Sequence, residues 1–234
     1  MMTAMRVTFL GTGTSHGIPM IGCDCAVCRS DDPRNQRLRP SIYVEGKDQY
    51  VLVDATPDFR AQALRANIRR VDAVLMTHTH ADHLFGLDDL RAFTGRDGHK
   101  IPVYGSAHSI EAIKRVFPYA CTEEPAWPGL PRFGLHGIEP HQDFSVGGLK
   151  LRALPLLHGR MTVYGFLFER ELAYVTDCSA VPAEVVAAIR GVTLLVLDAL
   201  RHRPHPAHLT IEQARAVADQ VGASLNILYD LCVV

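Results

Sequence analysis

No stretch of the 234-residue sequence reaches the roughly 18 to 20 consecutive apolar residues of a membrane span. The opening Met1 to Leu10 has neither a long apolar core nor a small-residue cleavage site, so it does not read as a secretory signal. Excess charge is also missing: 24 Lys and Arg stand against 25 Asp and Glu, a formal net charge of −1. A protein that grips nucleic acid by neutralising phosphates is normally basic, so nucleic acid is disfavoured as the chief partner. Internal repeats, low-complexity tracts, Ser/Gly linkers and sharp charge shifts are absent, which predicts one domain over 1–234 with inserted loops. What is present, 47% hydrophobic and 21% charged residues, is the composition of a soluble globular protein able to bury a substantial core.

The six cysteines do not suggest a disulfide framework. Cys23, Cys25 and Cys28 sit within six residues, while Cys121, Cys178 and Cys232 are scattered. Without a secretory signal, the trio reads as metal ligands or redox thiols, and the others as small apolar residues. A cytoplasmic setting follows from the same argument. Twelve His is high, and several are grouped.

Short β-branched runs alternate with helical stretches. Strands are predicted at 5–10, 41–44, 50–54, 71–77, 101–104, 149–154, 163–168, 172–176, 193–198 and 225–229, and helices at 58–69, 108–116 and 183–189. The last helix is the best delimited. Thr210 and Gln213 suit a capping box, Ile211, Ala214, Val217, Ala218 and Val221 recur on one face, and Gly222 ends it. Many strands with helices on two sides predict an α/β layered sandwich. The loop Gly11-Thr12-Gly13-Thr14-Ser15-His16-Gly17 is a poor dinucleotide fingerprint: its third Gly is one residue late, and a Cys-rich loop follows where a helix should start.

The strongest signal is Thr77-His78-Thr79-His80-Ala81-Asp82-His83. On an extended backbone residues two apart point to one side, so His78 and His80 can grip one ion. A turn then brings Asp82 and His83 round to a neighbouring position. Three imidazoles and a carboxylate so close together suit zinc or a similar divalent ion. A metal site is therefore predicted at the C-terminal end of the strand 71–77.

His78-x-His80-x-Asp82-His83 resembles the signature of the metallo-β-lactamase superfamily. The resemblance covers most of the chain and implies a four-layer αββα sandwich with a two-metal site. The opening Leu10-Gly11-Thr12-Gly13-Thr14-Ser15, the Cys loop and Leu52-Val53-Asp54-Ala55-Thr56-Pro57-Asp58 resemble the phosphodiesterase subgroup that includes the phosphoribosyl cyclic phosphodiesterase of bacterial phosphonate breakdown. Transfer RNA 3′-processing nucleases are more distant. The resemblance implies that His158 completes the first metal site, that Asp177 bridges both ions, and that Asp54 supports the His motif without binding metal. It further implies that His208 contacts the phosphate as general acid, that Cys23, Cys25 and Cys28 hold a structural zinc, and that the protein dimerises.

The implied reaction is cleavage of a small phosphate ester, cyclic ones included. Two cations, zinc or manganese, roughly 3.5–4 Å apart can hold a bridging hydroxide and stabilise charge during in-line displacement. Asp82 and His208 are the expected catalytic side chains. One departure stands out. The superfamily places a His just after the final strand, whereas this chain reads Tyr229-Asp230-Leu231-Cys232-Val233-Val234. Either Asp230 replaces that ligand, or the end is altered or truncated and the second ion is weakly held. Cys232 is a candidate fourth ligand for the Cys trio. The alternatives are a lactone or thioester hydrolase, an RNA-processing nuclease, and a weakly active vestigial binding protein.

Overall fold

The computed structural model describes residues 5–94, 99–123 and 127–229. Asp230 and Cys232 lie outside that set. The chain packs as two compact units, one made chiefly of residues 39–139 and one chiefly of residues 12–38 and 150–229.

The first unit carries a six-stranded mixed sheet of order β1-β2-β3-β4-β5-β6. Strands β1 (Arg6–Gly11), β2 (Ser41–Gly46) and β3 (Gln49–Val53) pair antiparallel. Lys47 and Asp48 close the β2–β3 hairpin, both at positive φ, the twist a two-residue turn requires. Strands β4 (Ala73–Leu75), β5 (Ile101–Gly105) and β6 (Phe133–Gly137) then add in parallel. Parallel neighbours need crossovers, supplied by α1 (Phe59–Arg65), by α2 (Ala81–Leu84) with the 3-10 turn Phe85–Ala92, and by α3 (Ala107–Val116). β4 is wholly buried, as expected of a central parallel strand. Leu52, Val74 and Met76 pack with Phe59, Leu87, Leu90, Ile113 and Phe117 in this unit's core.

Helix α1 is shorter than the predicted 58–69. Asn67 turns left-handed, and the Ile68 N–H reaches back to the Ala63 carbonyl at 2.9 Å, which closes the helix. The 81–92 helical turns were not foreseen. They are pinned at Gly86, whose N–H donates to the Ala55 carbonyl at 2.8 Å. A Cβ there would lie 1.9 Å from the Thr56 carbonyl oxygen and 2.9 Å from the Ala55 one. Gly86→Ala is therefore expected to cost about 3 kcal/mol or more, read as a lowered denaturant midpoint at unchanged slope.

The second sheet has order β12-β11-β10-β9-β8-β7. Strands β7 (Asp143–Val146), β8 (Leu149–His158) and β9 (Met161–Phe168) lead to β10 (Leu172–Val175), with β8–β9 and β9–β10 antiparallel. Strands β11 (Leu194–Asp198) and β12 (Leu225–Tyr229) continue in parallel through α4 (Ala183–Ala188) and α5 (Ile211–Val221). The predicted capping box forms: the Thr210 hydroxyl accepts from Gln213 N–H at 3.1 Å and the Gln213 side chain accepts from Thr210 N–H at 2.8 Å. Gly222, at φ +63°, ends the helix. Leu154, Val163, Val175, Val185, Leu195, Leu197, Ala214 and Val221 belong to the core of this unit. The α/β class and the two mixed sheets agree with the fold expected from sequence.

Candidate active site

The first group of candidate residues gathers where β3 and β4 end. Asp54 follows β3, fully buried, with φ at +59°. Left-handed backbone at a non-glycine residue costs of order 1–3 kcal/mol and persists where the surroundings enforce it. Here three donors converge on the carboxylate: Thr77 N–H at 2.9 Å, the Thr77 hydroxyl at 2.6 Å and His83 Nδ1 at 2.7 Å. Burial pushes the Asp54 carboxyl up, while His83 and Thr77 pull against it.

Those bonds fix the imidazoles. With its proton on Nδ1, His83 keeps its lone pair on Nε2, 3.4 Å from an Asp82 carboxylate oxygen. The Thr77 hydroxyl gives its proton to Asp54, so it accepts from His78 Nδ1 at 3.0 Å, and the His78 lone pair also falls on Nε2. That Nε2 lies 3.0 Å from Nδ1 of His80. The His78 and His83 rings lie 4.1 Å apart between centroids. The extended turn at His80, which caps α2, places His78 and His80 before the helix and Asp82 and His83 on its first turn. The structure thus brings the four motif residues together, as their spacing predicted.

The second group gathers at the ends of β8, β10 and β11. His158 is the last residue of β8 and donates from Nδ1 to the Ala207 carbonyl at 2.9 Å. Asp177 follows β10 at φ +50°, buried, and accepts from the Thr176 hydroxyl at 3.0 Å. His208 lies in the loop after β11, its Nε2 3.9 Å from an Asp177 oxygen. His158, Asp177 and His208 each offer a ligand atom, all within 4.8 Å of one another.

Asp198, at the end of β11, went unnoticed in the sequence. It is fully buried and accepts from His208 Nδ1 at 3.2 Å, Leu209 N–H at 3.0 Å and Cys178 N–H at 3.1 Å. Burial pushes its carboxyl up to about 6, and the nearby Asp177 adds to the rise, against the pull of His208. Like Asp54, it is an acidic residue at the end of a buried strand, where its neighbours in space give it its role.

Apart from both groups, Cys23, Cys25 and Cys28 present three sulfurs within 4.8 Å of one another. Cys28 N–H donates to Cys25 Sγ at 3.4 Å, which lowers the Cys25 thiol, and Met20 N–H donates to Cys28 Sγ at 3.3 Å. Amides aimed at sulfur favour the thiolate that a metal requires.

Residues 49–229 match the family model of the β-lactamase superfamily domain. The chain belongs to the metallo-β-lactamase superfamily. The crystal structure of a diphosphatase from the PhnP family superposes with a TM-score of 0.89 at 38% identity, covering 97% of this chain and 87% of that one. An octanoyltransferase of Porphyromonas gingivalis is 38% identical over 229 residues, 97% of this chain and 46% of the relative, so the chain spans about half that relative's length. Zinc-bound PqqB of Methylobacterium extorquens superposes at TM-score 0.76 with 19% identity, covering 97% of this chain and 86% of that one, a likeness of fold.

Proposed function

We propose that the protein is a binuclear metal-dependent phosphodiesterase acting on a small phosphate ester, cyclic esters included. The observation that carries this reading is His208, held through Nδ1 by the buried Asp198, with Nε2 turned toward Asp177. That is the arrangement of a proton donor whose charged form is stabilised from behind. The likeness to a diphosphatase of the PhnP family supports chemistry at phosphorus.

The proposal assigns His78, His80, Asp82, His83, His158 and Asp177 to two divalent ions, zinc or manganese, with Asp230 as a further candidate ligand. The donor chemistry fits. The lone pairs of His78 and His83 are set on Nε2 by their other ring bonds, and the carboxylates of Asp82 and Asp177 lie beside imidazoles. When bound, the ions supply positive charge that acidifies water and offsets the charge gathering at phosphorus. Asp82 orients the attacking water. The water gives up a proton to Asp82 as its oxygen bonds to phosphorus and the bond to the leaving oxygen breaks, and His208 Nε2 passes its proton to that leaving oxygen. Asp198 holds the ring and steadies the imidazolium. The Cys trio is assigned to a structural zinc. We further read the protein as a cytoplasmic homodimer whose partner molecule is the small ester, with neither a membrane nor nucleic acid as its main partner. Among the described residues no helix is long and apolar enough to cross a membrane.

A substrate panel tests this. Bis(p-nitrophenyl) phosphate, a lactone and a thioester are offered to protein supplied with zinc or manganese, alongside an elemental metal count. Turnover of the phosphate diester with two active-site metals per chain is expected. Preference for a carbon-centred ester overturns the reading, and fewer than two such metals with no turnover favours a vestigial binding protein.

A further inference from the structure

Between Ile18 and Arg37, within the second unit, the chain runs as a loop with no core of its own. Its base is a short ladder: Ile18 N–H donates to the Arg37 carbonyl at 2.8 Å, Arg37 N–H returns the bond at 2.7 Å, and Gly13 N–H reaches the Leu38 carbonyl at 2.9 Å. From residue 19 to residue 39 no residue is buried, and the only helical element is the 3-10 turn Pro33–Asn35. Ile21 stands 97% exposed. A segment that buries so little apolar surface cannot offset the entropy of ordering its backbone, and it needs a clamp of another kind. The clamp on its outer half is the cluster of Cys23, Cys25 and Cys28.

The three sulfurs lie within 4.8 Å of one another, and each cysteine is partly exposed, so a small solute can reach them. Cys25 and Cys28 share one turn, in which Arg29 N–H donates to the Cys25 carbonyl at 3.0 Å. Cys28 N–H points at Cys25 Sγ, 3.4 Å away, which keeps that sulfur folded over the turn. Residues three apart on such a turn stand about 5–6 Å apart at Cβ, a short step from the roughly 4 Å of a disulfide. Cys23 is attached differently. Its N–H donates to the Met20 carbonyl at 3.1 Å, so it closes the preceding turn, and its sulfur joins that turn to the other two cysteines. Arg29 also pairs with Asp24 across the cluster at 2.8 Å, but both side chains are more than half exposed and the pair adds little.

We infer that Cys25 and Cys28 are a modification site, at which a hydroperoxide forms a disulfide and thereby undoes the clamp on the loop. The inference starts from the structural-zinc reading of the trio and goes beyond it. The Cys25 sulfur attacks the outer oxygen of the hydroperoxide, the O–O bond breaks, and a sulfenic acid forms as water or an alcohol leaves. The Cys28 sulfur then attacks the Cys25 sulfur, the S–O bond breaks, and the hydroxyl leaves as water. The two sulfurs lose two electrons and the peroxide gains them. The two protons that the departing oxygens require come from the thiols, or from solvent where the sulfurs are thiolates. A three-point clamp across two turns becomes a bond inside one turn. Cys23 is left single, the pair no longer offers two thiolates to a cation, and residues 19–24 keep only their own turn. The change reaches the candidate active site, because Thr14, Ser15 and His16, just before the ladder, line a cavity together with Arg201, His205 and His208. Loosening the loop loosens one wall beside His208.

The test treats zinc-loaded protein with hydrogen peroxide and maps its peptides after cleavage on the N-terminal side of Asp24, which separates Cys23 from the pair. In the wild type a Cys25–Cys28 link is expected, seen as a single fragment two hydrogens lighter, with zinc released to a chromogenic chelator as the link forms. Hydrogen exchange across residues 19–24 is expected to quicken about 10-fold, with a smaller rise at 14–16, and dithiothreitol should reverse both. Cys28→Ser should lose the link and the peroxide-driven release. Cys23→Ser, which gives up one sulfur but keeps the pair, should still form the link, so a folding defect in the first variant does not decide the matter. Intact Cys25 and Cys28 under peroxide that oxidises the partly exposed Cys121 overturn the site. A link that includes Cys23 overturns the choice of pair, and a Cys25–Cys28 link with unchanged exchange overturns the loss of the clamp. If the loop carries no zinc before peroxide is added, the structural-zinc reading fails, and the peptide map with the exchange data decides the modification site alone.

Discussion

His208→Ala is expected to lower kcat about 10²- to 10⁴-fold on an alkyl phosphodiester, the range for removing a positioned general acid. On a p-nitrophenyl ester the loss should be much smaller, because nitrophenolate leaves without needing a proton. The split between leaving groups is the diagnostic readout. Were His208 chiefly a metal ligand, a role its approach to His158 and Asp177 also permits on distance, both substrates would suffer equally and metal content would fall. Asp198→Asn tests the positioning role separately. The change keeps shape but removes the anion behind the ring, and it forces a compromise among three donors that now converge on a carboxylate. Its loss should show the same dependence on leaving group at smaller size. A uniform loss on both esters would sink the assignment of His208 as proton donor.

What the sequence disclosed depended on how local the signal was. The capping box at Thr210, the helix it starts and the strand 225–229 were legible because each is decided within a few residues. The four motif residues 78–83 were legible for the same reason. Strand β8 runs through Pro155, four residues beyond its predicted end at Leu154. β7 is only four residues long, so the far part of β8 extends past it and leaves an edge where a residue without N–H is tolerated. That extension is what makes His158 the last residue of a strand. β6, Phe-Gly-Leu-His-Gly, has two glycines and no β-branched residue, and it is a strand because β5 offers it a complete parallel register. The gathering of His158, Asp177, Asp198 and His208 has no local signal, since it is created by the register of β8 through β11. Family resemblance anticipated three of those four. Asp198 was missed because nothing separates an isolated acidic residue at a strand end from an ordinary turn residue until its neighbours are known.

Asp54→Ala should combine a large stability loss with a large loss of metal. Removing the carboxylate leaves Thr77 N–H, the Thr77 hydroxyl and His83 Nδ1 without their acceptor in a fully buried place. Each orphaned donor costs about 1–3 kcal/mol, partly offset because a buried anion no longer has to be desolvated. A net destabilisation of about 3 kcal/mol is expected, with metal affinity lower by about 10- to 100-fold as His83 loses the partner that sets its tautomer. Alanine also fits poorly at φ +59°, so backbone and charge effects are mixed in that variant. Asp54→Asn separates them, because asparagine accepts left-handed backbone and keeps one oxygen for Thr77. Its stability should recover in part while metal affinity, measured by competition with a chelator, stays low. Full metal affinity in Asp54→Asn would mean that His83 is oriented by packing alone, and that the buried anion has no part in preparing the ring for a cation.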